Sequence, residues 1–232
     1  MYYDRSYKYP DIELMPEHPQ SECRQCGTCC QKSSPTLHPE DLELFRKGTL
    51  THADVYTLRK GEFAYDNISG QILCLDRELV KLKERPATRI CKYLDGDGSD
   101  CAIYDLRPLQ CRTLECWNPE PLIELFGSAK IDRMDLIQDP QARELVLHHE
   151  ERTSFGRLAE CFRALASGGP EEPILDILNF DLYIRNFVVE RSALESETLP
   201  FYFGRPMIEC LSGFGYRLEG DRDQGFVLSA SG

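Results

Sequence analysis

Four cysteines stand close together near the start of the chain: Cys23, Cys26, Cys29 and Cys30. The first three follow a C-x2-C-x2-C spacing, so one short loop can curl round a metal centre and offer it three sulfurs. Gly27 lies between them and permits the unusual backbone torsions that such a curl requires. The pattern therefore predicts that this loop binds metal.

The spacing bears on which metal is bound. Bacterial ferredoxins hold three corners of a four-iron cluster on the same spacing, and a distant cysteine supplies the fourth ligand. Structural zinc more often uses two separated C-x2-C pairs. The predicted cofactor is therefore an iron–sulfur cluster of the 4Fe-4S type, with zinc as the alternative. A radical enzyme that uses S-adenosylmethionine would need C-x3-C-x2-C, which the loop does not have.

Cys30 complicates a single site, because the side chains of adjacent residues diverge and rarely bind one small ion together. Either Cys29 or Cys30 is then a bystander, or the pair serves two centres. Cys74 is a possible substitute ligand. A second group of cysteines could complete one or two four-cysteine sites with the first four: Cys91, Cys101, Cys111 and Cys116.

Several cations lie near these cysteines in sequence. Bound thiolates carry negative charge, and hydrogen-bond donors to the sulfurs tune metal affinity and reduction potential. The candidates for this role are Arg24, Arg89, Lys92, Arg107 and Arg112.

The cysteines are expected to be reduced rather than paired in disulfides. The chain has 11 of them, an odd number, and its first residues lack the apolar stretch of a secretory signal. We therefore expect a cytoplasmic location, where thiols stay reduced. Cys161 and Cys210 lie far from the others in sequence and are predicted to be core residues.

The net charge of −12 limits the partners. Binding to nucleic acid depends mostly on Lys and Arg that neutralise phosphates, and no basic run offsets the overall repulsion. Nucleic acid and membrane are therefore not expected as partners. An acidic surface suits solubility or docking to a basic protein, so a protein partner of unknown identity is expected.

The coarse pattern predicts an α+β fold that is mostly α. A tyrosine-rich arm is expected over residues 1–19, an irregular, metal-nucleated cysteine domain with short strands over 20–118, and a helical region over 119–232 that packs on it as one compact unit. Within the cysteine domain, we predict a short helix over 39–48, strands within 62–83, a tight loop over 90–104, and a helix over 107–112 capped by Asp105.

Apolar spacing of three and four predicts helices over residues 119–126, 140–166 and 173–194, followed by a terminal hairpin over 216–229. Gly156 is expected to bend the second of these helices. His148 and His149 lie within it and could offer a metal ligand. Because neighbouring residues on a helix point apart, a solvated face is expected for both instead.

The cysteine motifs also resemble a known family. The Cys-x2-Cys-x2-Cys-Cys loop, then Cys91, then Cys-Ala-Ile-Tyr-Asp-Leu-Arg-Pro-Leu-Gln-Cys-Arg over 101–112, resemble the YkgJ-type CxxCxxCC cysteine-cluster family, described as zinc- or iron-chelating. The resemblance implies seven ligands: Cys23, Cys26, Cys29, Cys30, Cys91, Cys101 and Cys111. We add Cys116 to this set as an eighth predicted ligand. A related cysteine region occurs in flagellin lysine N-methylases.

Two functional hypotheses follow. The first is an iron–sulfur protein that acts in electron transfer or redox sensing. The second is a structural zinc module that accompanies a protein-modifying enzyme such as a methyltransferase. Nothing like a nucleophile–base pair or a phosphate-binding loop supports catalytic activity of the chain's own.

Overall fold

The computed structural model describes residues 20–67, 69–96, 98, 100–192, 194–221 and 225–230. The arm predicted over residues 1–19 lies outside the described residues. Helices predominate over short antiparallel strands, so the predicted α+β, mostly α class is confirmed. No described helix combines the length and the apolar composition needed to cross a bilayer.

The described residues of the cysteine-rich half form four short helices and four strands. The helices predicted over 39–48 and 119–126 and the strands predicted within 62–83 are found. The helices are α1 (Thr28–Lys32), α2 (Leu42–Arg46), α3 (Leu109–Thr113) and α4 (Glu120–Phe126), with 3-10 turns at Pro39–Asp41, His52–Asp54 and Tyr104–Leu106. The strands are β1 (Val55–Leu58), β2 (Phe63–Asp66), β3 (Gln71–Cys74) and β4 (Leu79–Leu82).

The strands form one hairpin nested inside another. Strand β1 pairs antiparallel with β4, with Val55 opposite Leu82, and β2 pairs antiparallel with β3 between them. The chain just before the first 3-10 turn also lies along β4, where the Leu37 N–H donates to the Val80 carbonyl at 2.8 Å. Strand β1 was not predicted, because its residues do not alternate between apolar and polar side chains.

The remaining elements are mostly helical, as predicted. They are α5 (Arg133–Leu136), α6 (Pro140–Thr153), α7 (Phe155–Ala166), α8 (Glu172–Arg191), α9 (Leu199–Phe203), 3-10 turns at Ser196–Thr198 and Met207–Phe214, and the terminal hairpin of β5 (Tyr216–Asp221) and β6 (Gly225–Ala230). The predicted bend at Gly156 is wrong. The chain breaks earlier, at Ser154, whose extended backbone ends α6 and whose hydroxyl caps α7 by accepting from the Arg157 N–H at 3.3 Å.

Two apolar cores hold these elements together. The first contains residues of both halves, such as Leu37, Val80 and Cys91 with Val146 and Phe201. The second lies between α7, α8 and the 3-10 turn at Met207–Phe214. Cys210 is buried in the second core and Cys161 packs against it, in agreement with their predicted role as core residues. Because the first core spans both halves, the helical region directly supports the cysteine-bearing segments.

The expected solvated position of His149 is wrong. Its side chain is fully buried, and its Nε2–H donates to Asp181 Oδ1 at 2.7 Å. Asp181 also pairs with Arg185 on the next turn of α8, 3.0 Å away. His148, the neighbouring residue, is exposed as expected. The pattern within α6 did not reveal that Asp181 of α8 would accept from His149 and bury it.

Candidate metal centre

All eight cysteines predicted as ligands line one cavity of about 650 Å³. Cys74 does not line it: this residue lies exposed at the end of β3, where its sulfur contacts the Gly61 carbonyl oxygen at 3.5 Å. Ligation by each cysteine stays a prediction, but the fold brings together the distant segments that carry them. The cavity cysteines are Cys23, Cys26, Cys29, Cys30, Cys91, Cys101, Cys111 and Cys116.

The first loop is shaped by backbone geometry at Gly27. Its φ of 70° lies in the left-handed region, and it directly precedes α1, which carries Cys29 and Cys30. A Cβ atom on Gly27 would lie 2.1 Å from the carbonyl oxygen of Gly98, in the turn before Cys101. Only glycine satisfies both the torsion and this close approach. The predicted torsional role of Gly27 is confirmed, and the contact joins the first loop to the second cysteine segment.

Further backbone contacts fix the second segment against the first. The Cys91 N–H donates to the Cys30 carbonyl at 2.8 Å. Leu94 and Cys101 form an isolated antiparallel bridge, as expected of the tight loop predicted over 90–104. Arg85 donates to the carbonyl oxygens of Leu94 and Asp95 and so holds the start of this loop.

Helix α3, which carries Cys111, is anchored from elsewhere in the chain. The predicted cap by Asp105 is wrong, since no side chain at the start of α3 caps it. Instead, buried Asp41 accepts from the Leu109 N–H at 2.7 Å. Gln110 reaches back in turn and accepts from the Thr36 N–H at 2.5 Å. The position of Cys111 thus depends on two long-range hydrogen bonds that local sequence does not indicate.

The expected divergence of Cys29 and Cys30 is also wrong. Their sulfurs lie 3.9 Å apart. The edge of a tetrahedron of thiolates around zinc is about 3.8 Å, given a Zn–S bond of about 2.3 Å. Two adjacent cysteines can therefore face the same cavity. Among the described residues, however, no three Cys, His, Asp or Glu side chains are arranged to hold a single ion.

The pKa values of the cavity cysteines shift in different directions. The hydrogen bond from the Cys30 thiol, together with nearby Arg107, lowers the pKa of Cys29 to about 6. Hydrogen bonding to Thr28 lowers the pKa of Cys26. Burial raises the pKa of Cys91 and of Cys111. The buried thiols become good ligands only when a cation compensates the thiolate charge, which a metal does.

Arg107 is held beside the cysteines in a defined orientation. Its guanidinium carbon lies 3.5 Å from the centroid of the Tyr104 ring, and its Nε is buried with no hydrogen-bond partner. Interaction with the Cys23 sulfur raises the pKa of the Tyr104 hydroxyl. Unpaired buried donors are rare. This donor and the sulfur-rich lining together fit a negatively charged metal–thiolate group in the cavity.

Only some of the cations predicted to lie near the cysteines line the cavity. Arg24, Arg89 and Arg107 line the cavity, whereas Lys92 forms an ion pair with Asp54 at 2.5 Å and Arg112 does not line it. The role of Tyr104 was not predicted, although its place in the Cys-Ala-Ile-Tyr-Asp-Leu-Arg-Pro block was a usable signal. Helix α4 was predicted, but not that its Leu122 and Phe126 would line the cavity, beyond the predicted domain boundary at 118.

Comparison with known families bears on this site. Residues 22–128 match the family model CxxCxxCC, described as "Putative zinc- or iron-chelating domain". This part of the chain is a CxxCxxCC domain. The match starts at the first cysteine loop and continues through α4, so the CxxCxxCC domain contains every segment that supplies a cavity cysteine. The family supports metal binding by the domain. Neither a curated protein nor a solved structure matches the chain.

Proposed function

We propose that the CxxCxxCC domain holds an iron–sulfur centre, of the 4Fe-4S type, that serves in electron transfer or redox sensing. The observation that carries this proposal is the gathering of eight cysteines around one cavity of about 650 Å³. In a four-iron cluster each thiolate binds a different iron, so the sulfurs stand farther apart than around one ion. Among the described side chains no three stand close enough together to hold one ion, which suits the larger centre better.

The position of the cavity supports a redox role. Four of its cysteines are exposed, so a centre bound there would lie near the surface and within reach of a redox partner: Cys23, Cys26, Cys29 and Cys116. Arg107 would donate to a thiolate or sulfide and stabilise the reduced, more negative state. We place the protein in the cytoplasm, where these thiols would stay reduced, and its partner among proteins rather than nucleic acids or membranes.

Metal and sulfide analysis tests this proposal. Protein purified without oxygen should contain iron and acid-labile sulfide in equal amounts, roughly four of each per centre, and should absorb visible light that bleaches on reduction. Replacement of Cys111 by Ser should reduce both contents, whereas replacement of exposed Cys74 should leave them unchanged. Stoichiometric zinc with no sulfide in the wild-type protein would rule out the iron–sulfur centre.

A second candidate is a structural zinc site, supported by the distance of 3.9 Å between the sulfurs of Cys29 and Cys30. In that case the domain would be an interaction module, for example beside a protein methyltransferase. It would be colourless and redox-silent, and chelation would unfold it. A domain that keeps its thermal transition after complete removal of zinc would contradict this candidate.

A further inference from the structure

The lining of the cysteine cavity differs in charge from the rest of the chain. The chain carries 39 acidic residues and a net charge of −12. Yet none of the described residues that line the cavity is Asp or Glu, while four are cations: Arg24, Lys32, Arg89 and Arg107. The exposed cations among them are Arg24, Lys32 and Arg89. Every charged side chain in the lining of the cavity is therefore a cation, on a chain that is acidic as a whole.

Exposed apolar side chains accompany these cations. Tyr65 lines the cavity and is 49% exposed. Ile72 is its cross-strand partner in the β2–β3 hairpin, on the same face, and is 69% exposed. Trp117, next to the cavity residue Cys116, is 36% exposed. We call these three residues together with Arg24, Lys32 and Arg89 the cavity rim.

One cation of the rim is already held in position. The Arg89 guanidinium carbon lies 4.4 Å from the centroid of the Tyr65 ring, and its Nη2 donates to Asn67 Oδ1 at 3.0 Å. Such a cation loses little side-chain entropy when a carboxylate binds it, so it contributes more to an interface than a free surface cation does. Apolar contacts ringed by charges are the composition of protein-docking surfaces.

We propose that the cavity rim docks a small acidic electron-carrier protein, whose carboxylates surround its own redox group. This inference rests on the proposed redox function of the CxxCxxCC domain. A second copy of the chain does not suit the rim, because a symmetric contact would place cations against cations. An extended polyanion would also meet the acidic remainder of the surface, whereas a small carrier contacts the rim alone. Salt largely screens the repulsion between that carrier and acidic residues more than about one Debye length, 8–10 Å, away.

Electron transfer from the full, metal-loaded chain tests the proposal. The chain is reduced chemically without oxygen and mixed in a stopped-flow instrument with an acidic flavodoxin. The double variant Lys32→Glu/Arg89→Glu should lower the second-order rate constant about tenfold or more at low salt, and this difference should shrink as salt rises. The matched control, Arg157→Glu/Arg163→Glu, changes the net charge equally at exposed positions of α7 and should retain most of the rate.

Equal rate losses in the two double variants would overturn the docking proposal, as would a rate loss in the rim variant that does not shrink as salt rises. Iron content is measured in each variant. If the double variant loses metal, Lys32→Glu alone, at the exposed end of α1, is compared with Arg163→Glu in the same way.

Failure of the redox function is recognised separately, because the wild-type chain would then hold no centre that a chemical reductant reduces. Calorimetric titration of the metal-loaded chain with flavodoxin still tests docking in that case. Binding that the rim variant loses and the α7 variant keeps supports the proposal. Equal binding by all three proteins, or preferential binding to phosphatidylserine vesicles or DNA, overturns it.

Discussion

The Cys91 N–H donates to the carbonyl oxygen of Cys30 at 2.8 Å, although the two residues come from distant parts of the sequence. This bond uses only backbone atoms, so it needs neither sulfur nor metal. The apolar core continues the connection, since Cys91 is buried in it and Cys30 packs against it. The two cysteine-bearing segments are therefore partly organised before a metal binds, which lowers the entropic cost of binding.

Replacement of Gly27 by Ala should damage the site through the backbone. The new Cβ would meet the Gly98 carbonyl oxygen at 2.1 Å, so the first loop would have to move away from the turn before Cys101. We expect a several-fold loss of bound metal and a free energy of unfolding lowered by more than about 2 kcal/mol. The control is Gly48→Ala, which has a similar φ of 72° but open space around its Cα; it should cost only about 1 kcal/mol and no metal. Metal analysis gives the metal content of the two variants, and urea titration gives their free energies of unfolding. Equal losses in Gly27→Ala and Gly48→Ala would contradict this account.

Cysteines from both segments should matter equally for metal retention. Because Cys26 and Cys101 line one cavity, Cys26→Ser and Cys101→Ser should each lower the metal content markedly. Cys161→Ser, in the second core, should leave the metal content unchanged while costing some stability. Metal content per chain after anaerobic gel filtration distinguishes these results. Full metal content in Cys101→Ser would restrict the site to the first loop.

Arg107 should strengthen metal binding without being a ligand. Replacement by Gln removes its charge and its fixed guanidinium plane, so we expect metal affinity about tenfold weaker or worse. Arg107→Lys keeps the charge but not the planar donor, so its metal affinity should lie between those of the wild-type chain and Arg107→Gln. Competition with a chelator gives the affinities. Arg112→Gln, at an exposed position that does not line the cavity, should behave like the wild-type chain.

Much of this organisation follows from local patterns. The apolar spacing of Leu158, Phe162 and Leu165 predicted a helix, and the cysteine spacings predicted the segments that meet. What the sequence did not indicate are contacts between distant residues. Asp41 anchors α3 from far away, and Asp181 of α8 accepts from His149 of α6. Such interactions depend on which faces meet, and neither periodicity nor residue spacing encodes that.

Asp181 should be essential for stability of the helical region. Its carboxylate is 1% exposed and accepts from His149, Arg185 and the Met207 N–H. Asp181→Ala leaves the Arg185 cation buried without its partner, so we expect a loss of about 3–5 kcal/mol. Asp176→Ala, at an exposed position of the same helix, should change stability by about 0.5 kcal/mol or less. Urea unfolding monitored by circular dichroism measures both, and similar small losses would show that the buried pair is dispensable.

Acidification should weaken the fold through His149. Burial lowers the pKa of His149 to about 4, below the 6.5 of an unfolded chain. The unfolded state therefore takes up a proton first, and stability present above pH 6.5 is lost as the pH falls from 6.5 towards 4. The slope from this residue should reach about 1.4 kcal/mol per pH unit.

Asp181 contributes in the same direction at lower pH. Burial alone would raise the pKa of Asp181, but the hydrogen bond from His149 and the charge of Arg185 outweigh it and lower the pKa to about 2. Urea unfolding between about pH 7 and 5 separates the histidine effect, since His149→Gln should flatten the slope and exposed His148→Gln should not. An unchanged slope in His149→Gln would refute the assignment to this residue.

The chain contains a single tryptophan, Trp117, and it lies on the cavity rim beside Cys116. Its emission therefore reports on this one surface, without a label and without background from other indoles. An iron–sulfur centre absorbs broadly at the wavelengths that tryptophan emits and would quench it by energy transfer, whereas closed-shell zinc has no such absorption. The intrinsic fluorescence of Trp117 should therefore distinguish an iron–sulfur centre from zinc in the cavity, and should change when a partner covers the rim.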